Sequence, residues 1–282
     1  THQSKALRDI EQFSNKAQRH FDKLGLGHIS SDFSQFQRSL QAATSRVAAF
    51  GLTAGILFTV KQAFGALIKE TIAVEKSLQD INVILNLNDK NLSKFGSNLF
   101  KIARDTGQSF KNIAGAATEL SRQGLGVSET LKRTADAAIL SRLANIDLLD
   151  SVESLTAGIN SFSDSVLTST DLVNKFARVD AAFAVSSRDF AEAIKRVGST
   201  AQDAGLSIDE LIGLVTSLQQ TTARGGAIIG NSLKTILTKV QTGTVLEQLE
   251  RLGVTVRDFN KEFLPTLMIL ENIGTQFDNL GR

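Results

Sequence analysis

The sequence predicts an all-α protein in which a long, coiled-coil-like N-terminal helix is followed by a multi-helix globular core. Proline, which interrupts helices, occurs once, as Pro265, and 42% of the 282 residues are hydrophobic, which is enough to bury a core. Apolar residues recur at intervals of three and four along most of the chain, the spacing of amphipathic helices. Glycine-containing breaks separate these stretches, so helices and turns alternate.

The composition argues against several classes of function. Without cysteine, the chain has no disulfide, no thiolate nucleophile and no sulfur-ligated metal site. Its aromatic residues are 17 phenylalanines, with no tryptophan or tyrosine, which disfavours a stacking platform for bases or sugars. With 31 basic and 29 acidic residues the formal charge is +2, which gives little attraction to a phosphate backbone. We therefore predict no specific nucleic-acid partner.

Residues 1–30 are predicted to form a separate N-terminal helix segment. Apolar positions recur at helical spacing from Lys5 to Leu24, and the glycine-containing stretch 25–31 ends that pattern. The chain begins with Thr1 instead of methionine, and no cationic and apolar signal sequence follows. We therefore expect the chain to be an excised or processed piece.

Residues 31–85 are predicted to form one long helix with a heptad seam. Its seam positions alternate steps of three and four, the spacing of a left-handed coiled coil, and all except Lys61 are apolar. So narrow an apolar stripe needs a facing helix, and the sequence leaves open whether this chain or another copy provides it. The apolar seam residues are Phe33, Phe36, Leu40, Ala43, Val47, Phe50, Ala54, Leu57, Phe64 and Ile68.

The same helix contains a candidate membrane segment at residues 47–68. The fourteen residues from Val47 to Val60 carry no charge, and Gly51 and Gly55 have the spacing that lets helices approach closely. Fourteen residues form about 21 Å of helix, less than the hydrocarbon core of about 30 Å, and Lys61 follows. We therefore favour burial in protein and keep membrane insertion as the alternative. The candidate membrane residues are Gly51, Gly55, Leu57 and Phe58.

Residues 86–282 are predicted to form the helical core. Ser109 is the predicted cap of one of its helices and Ser187 of another, because each precedes a run with helical periodicity. The predicted helices cover residues 74–87, 92–103, 110–122, 127–144, 148–161, 169–184 and 190–202, the first of them continuing the long helix.

Two glycine stops organise this core. Gly124 and Gly205 each follow an apolar-periodic run, where a left-handed residue ends a helix, and Ser128 and Ser207 are suited to cap the next helix. Ser207 also has Glu210 three residues later, the spacing of a capping box. A capped helix, a stop and a long helix thus occur at residues 109–140 and again at 187–218, which is a weak internal repeat.

One motif resembles a phosphate-binding loop. Residues 225–232 read GGAIIGNS, close to G-x-x-x-x-G-K-[ST], but Asn231 stands where the lysine that reaches the phosphates would be. Helix-forming residues lie on both sides, whereas a phosphate-binding loop joins a strand to a helix. We therefore predict a turn that allows close packing of Ile228, Ile229, Leu233, Ile236 and Leu237.

No catalytic, cofactor-binding or metal site is predicted. His2, His20 and His28 all lie in the first 28 residues and lack the ligand spacing of a metal site. The serines of the remaining chain would have to reach back to that segment to form a triad, and caps or surface positions explain them better. Carboxylate pairs such as Asp147 with Asp150 are explained by an exposed helical face. The protein is predicted not to be an enzyme.

Three segments together carry a family resemblance. Residues 116–120, 201–206 and 223–233 read AATEL, AQDAGL and ARGGAIIGNSL, and in this order and spacing they resemble the core of phage tail tape measure proteins. Residues 252–258 and 263–270 are similar to the closing segment of that family, although Asn260 stands where the family has a glycine. The resemblance extends from about Val74 to Leu280.

The resemblance implies a structural protein of the virion, made in the host cytoplasm and held inside the tail tube of a phage or a related particle. Such a protein sets the length of the tube during assembly and leaves the tube during DNA ejection. The implied partners are further copies of the chain, for example in a trimer, the tail tube protein, tail assembly chaperones and tail tip or baseplate hub proteins. The alternative from another class is a membrane-active helical protein that inserts residues 47–68 into the host membrane.

Overall fold

The computed structural model describes residues 73–163, 167–183 and 185–279. Within these ranges the chain forms eleven helices and no strand, which confirms the all-α prediction. Of the predicted long N-terminal helix only its last part, residues 73–85, is described, and it is helical. The helices are α1 (73–85), α2 (Asp89–Thr106), α3 (Phe110–Arg122), α4 (Val127–Ala144), α5 (Leu148–Ser161), α6 (Ser169–Ala182), α7 (Ser187–Asp203), α8 (Ile208–Thr222), α9 (Gly226–Val240), α10 (Gly243–Arg251) and α11 (Thr266–Asn279).

Both predicted glycine stops are confirmed. Gly124 and Gly205 have φ angles of 82° and 78°, in the left-handed region that glycine adopts without strain. Two predicted caps are confirmed as well. The Ser109 hydroxyl accepts a hydrogen bond from the Asn112 amide, and Ser207 forms the expected capping box with Glu210.

Two other predicted caps are wrong by one or two residues. Helix α4 begins before Ser128, because the Gly126 carbonyl already accepts the Thr130 amide at 2.9 Å. Helix α7 is capped by Ser186, since Asp189 lies three residues after it and completes a capping box. The predicted cap, Ser187, is instead the first helical residue.

Helices α9, α10 and α11 and the turn between α10 and α11 were absent from the predictions. The turn predicted for residues 225–232 is wrong after Gly225, because Gly226 already begins α9. Helix α10 is short, with nine residues, and buries only Leu246. The turn between α10 and α11 is closed by an isolated antiparallel bridge between Arg257 and Phe263, and the Arg257 guanidinium lies 3.8 Å from the centre of the Phe263 ring. Other predicted boundaries shift by two or three residues: α1 ends at residue 85, α2 runs from Asp89, after its Asn88 cap, to Thr106, and α6 ends at Ala182.

The chain divides into two compact units, residues 1–134 and 135–282, and the boundary falls within α4. In the first unit, α2 packs on α3, and the Phe100 and Phe110 rings stack with centroids 4.1 Å apart. A Cβ atom on Gly96 of α2 would lie 3.0 Å from the Leu78 side chain of α1, so these two helices are also in close contact. The predicted domain boundaries after residues 30 and 85 stay predictions.

Helix α7 is the centre of the second unit. It contacts α5, α6, α8 and α9, and its packing with α9 is the most extensive in the described chain. Two small residues of α7 allow its neighbours to approach closely: Ala193 lies against α9, and Gly198 lies against Ser161 of α5. The Phe176 and Phe190 rings of α6 and α7 stack with centroids 5.5 Å apart. The core helices, a name we use for α5–α9, therefore pack around α7.

The residues after α9 have a hydrophobic cluster of their own. It consists of Leu246 of α10, Val254 and Val256 of the turn and Ile269 of α11, together with Val240 at the end of α9. Leu249, Leu264, Leu270 and Ile273 cover it partly. We call residues 243–279 the C-terminal segment.

Candidate functional site

The predicted seam, from Phe33 to Ile68, and the candidate membrane segment at residues 47–68 lie outside the described residues. The three histidines, His2, His20 and His28, lie outside them as well. The predicted feature that the structure does describe is the glycine-rich motif at residues 225–232, which forms the beginning of α9.

The glycines of this motif bring α9 onto the backbone of α7. A Cβ atom on Gly226 would lie 1.9 Å from the Asp189 carbonyl oxygen, a separation that no side chain can have. One turn later, a Cβ on Gly230 would lie 3.0 Å from the Ala193 Cα. The pair at i and i+4 thus forms a flat strip that contacts the neighbouring helix directly.

Asp189 connects this motif to the beginning of α7. Its Oδ1 atom accepts a hydrogen bond from the Gly226 amide at 2.8 Å. Its Oδ2 atom accepts the Ser186 amide at 3.2 Å and the Ser186 hydroxyl at 2.7 Å, which is the capping box of α7. One carboxylate therefore satisfies backbone amides at the N-termini of two helices, where a negative charge is favourable.

A second aspartate ties α6 to the same place. The Asp180 Oδ2 atom accepts the Ser187 amide at 2.9 Å and the Ser187 hydroxyl at 2.7 Å. On the other side, the side-chain oxygen of Gln219 in α8 accepts the Gly225 amide at 2.8 Å. We call this set of contacts around Asp189 the helix junction; it joins the turns before α7 and before α9.

This geometry does not provide a phosphate-binding loop. Helix α8 precedes the motif where such a loop needs a strand, and the Asp189 carboxylate already occupies the first free amide of α9. The prediction of close packing is correct for Ile229, Leu233 and Leu237, which are buried. It is wrong for Ile228 and Ile236, which are 51% and 42% exposed, because they lie on the helix face away from α7.

Further polar contacts of the second unit also join helices. The buried Asp136 accepts hydrogen bonds from the Ser169 and Thr170 hydroxyls at the start of α6. Lys195 of α7 pairs with Asp150 and Glu153 of α5. Burial acts to lower the pKa of Lys195, but the hydrogen bonds and attraction of these two carboxylates outweigh it and raise the pKa.

An open cavity of about 500 Å³ lies beside α6 and the start of α8. Its lining includes the apolar Phe162 and Ile208, and two of its charged residues, Lys175 and Asp209, form an ion pair with each other. The part of the chain that the structure describes contains no group of three His, Cys, Asp or Glu residues suited to a metal ion. In that same part, no helix is long and apolar enough to cross a lipid bilayer.

Comparisons with known proteins agree with the resemblance predicted from the motifs. Residues 89–282 match a family model described as phage-related minor tail protein. A curated relative, the tape measure protein of Pneumococcus phage Dp-1, is 22% identical over 217 residues, which cover 76% of this chain and 19% of the relative. The chain thus spans about a fifth of the length of that relative. No solved structure matches. Because the family model covers more than half of the sequence, the chain belongs to the phage-related minor tail protein family.

Proposed function

We propose that the chain is part of a tail tape measure protein that lies in the tail tube, sets the tube's length during assembly and leaves the tube during DNA ejection. The family match over residues 89–282 carries this proposal, and the likeness to a relative named tape measure protein supports it. A formal charge of +2 is compatible with release, because strong attraction to a charged tube wall would oppose sliding.

The ruler itself requires helix that runs along the tube, since each residue then adds about 1.5 Å. The core helices pack side by side around α7 and would add much less length per residue. The segment suited to a ruler is the long helix predicted for residues 31–85, with its heptad seam from Phe33 to Ile68.

Tail length measured by electron microscopy tests this function. Deletion of the four heptads at residues 40–67 from the full gene is expected to shorten the mean tail by about 42 Å. The matched control replaces the same 28 residues with unrelated heptads of equal length and should leave tail length unchanged. Tails of unchanged length in the deletion would contradict the ruler.

We further propose that the seam joins copies of the chain, for example in a trimer. Leu40→Asp or Phe50→Asp is expected to weaken self-association, because it places an unpaired carboxylate in an apolar contact. Sedimentation measures the effect, with an aspartate at Gln41, off the seam, as control. An unchanged oligomer, or a parent chain that is already a monomer, would refute this proposal. The tail tube protein, the assembly chaperones and the tip or hub proteins are the other proposed partners.

The membrane-active alternative rests on residues 47–68, which the structure does not describe. It predicts a different result in the same experiment: the deletion of residues 40–67 would leave tail length unchanged and abolish infectivity. Flotation of the purified chain with liposomes would then show whether this segment binds lipid.

A further inference from the structure

The C-terminal segment makes its main contacts with the rest of its unit through α9. Helix α9 contacts both α10 and α11, and Val240 is the one residue of the segment's hydrophobic cluster that lies outside the segment. Gln241 and Thr242 connect α9 to α10, and the Thr242 amide donates to the Lys239 carbonyl in a single tight turn. Among the described residues, one short connection and the end of α9 therefore form the main link between the two regions.

The segment also buries little of itself. Helix α10 buries one residue, Leu246, and α11 buries two, Thr266 and Ile269, whereas α7 buries eight of its 17 residues. Its long-range side-chain hydrogen bonds are exposed: Asn272 donates to the Thr255 carbonyl and Gln276 to the Leu252 carbonyl. Few buried apolar contacts and solvent-exposed hydrogen bonds are the properties of a region that opens locally.

We infer that the C-terminal segment unfolds locally as one unit, from the Gln241–Thr242 connection onward, while the core helices stay folded. The helix junction lies at the opposite end of α9, at Gly226, so no contact of Asp189 has to break. This local unfolding exposes Val240 and the apolar residues of the segment's own hydrophobic cluster, which cover one another in the folded form. This conformational change is separate from the proposed ruler function and does not depend on it.

Two matched substitutions distinguish this local opening from global unfolding. Val256 in the segment is 1% exposed and Val197 in α7 is fully buried, so Val→Ala removes the same two methyl groups from each place. Native-state hydrogen exchange of the full chain, followed by mass spectrometry at low denaturant, reports the opening of each helix. Val256→Ala should speed exchange in α10 and α11 by about 10- to 100-fold and leave α7 and α9 unchanged.

The control should behave differently. Val197→Ala is expected to speed exchange throughout the core helices. In the C-terminal segment it should speed exchange only at those amides that exchange through global unfolding. If Val197→Ala does not fold, the parent chain alone decides, because α10 and α11 should exchange with a lower dependence on denaturant than α7. Equal acceleration of α7 and α11 by Val256→Ala, or one shared denaturant dependence in the parent chain, would overturn the inference.

Discussion

The core helices and the C-terminal segment are both helical, yet they are held together in opposite ways. Where α9 meets α7 the backbones touch, because a Cβ atom on Gly226 would collide with the Asp189 backbone, and a Cβ atom on Gly158 of α5 would collide with the Leu172 side chain of α6. In the C-terminal segment, Gly243 and Gly274 face open space. Close backbone contact leaves no room for adjustment, whereas a loosely packed cluster adjusts easily. The two regions should therefore respond very differently to the same substitution.

The largest expected effect comes from Gly226→Ala. Its Cβ would overlap a backbone oxygen that cannot move without displacing α7, so we expect a loss of about 3 kcal/mol or more in the free energy of unfolding. Urea denaturation followed by circular dichroism measures it. Gly213→Ala in α8 is the matched control, because nothing lies within 4 Å of its Cβ and alanine should stabilise the helix by about 0.5–1 kcal/mol. A loss of stability below 1 kcal/mol for Gly226→Ala would mean that α7 and α9 are not in backbone contact.

Asp189→Ala is expected to have the next largest effect. It removes the acceptor of the Gly226 amide and that of the Ser186 hydroxyl, which caps α7. The loss should cost about 2 kcal/mol in the free energy of unfolding. Asp189→Asn keeps one carbonyl oxygen and should lose less. An Asp189→Asn variant as stable as the parent would show that the junction does not depend on two carboxylate oxygens.

The smallest effect is expected at the capping box of α8, where it depends on pH. Hydrogen bonds from the Ser207 amide and hydroxyl lower the pKa of Glu210 from its ordinary value of 4.5. A lowered folded-state pKa means that the carboxylate stabilises the fold above pH 4.5, and that this contribution is lost as pH falls through the folded-state pKa. Glu210→Gln should therefore be less stable than the parent at pH 7, and the difference should disappear in acid. Glu247→Gln, on the exposed side of α10, serves as the control; a pH-independent difference at Glu210 would contradict the prediction.

How well the sequence predicts a feature depends on how far apart the interacting residues lie in the chain. The Ser207 capping box and the left-handed Gly124 and Gly205 depend on neighbouring residues, so local rules predict them. The contact between Asp189 and Gly226 joins residues 37 apart in the chain, and no local pattern indicates that partner. The glycine pair at 226 and 230 was the available signal, but the sequence does not say which helix it faces.

The same reasoning applies to the errors. Ser186 and Ser187 are both serines before a helix, and only the position of Asp189 distinguishes them. Ile228 and Ile236 are apolar but lie on the face of α9 away from α7. Ile229, Leu233 and Leu237 form the buried face, and the spacing of five apolar residues does not show which of them face the core. The seam, which carries the ruler proposal, lies outside the described residues and stays a prediction from spacing.

Peptide mass spectrometry of purified particles, before and after DNA ejection is triggered, tests the central claim most directly. If the chain is a tail component that leaves the tube with DNA, its peptides are present in intact tails at a fixed ratio to the tail tube protein and are lost from emptied tails. Absence of these peptides from intact tails would contradict its place in the tail, and their full retention after ejection would contradict its release.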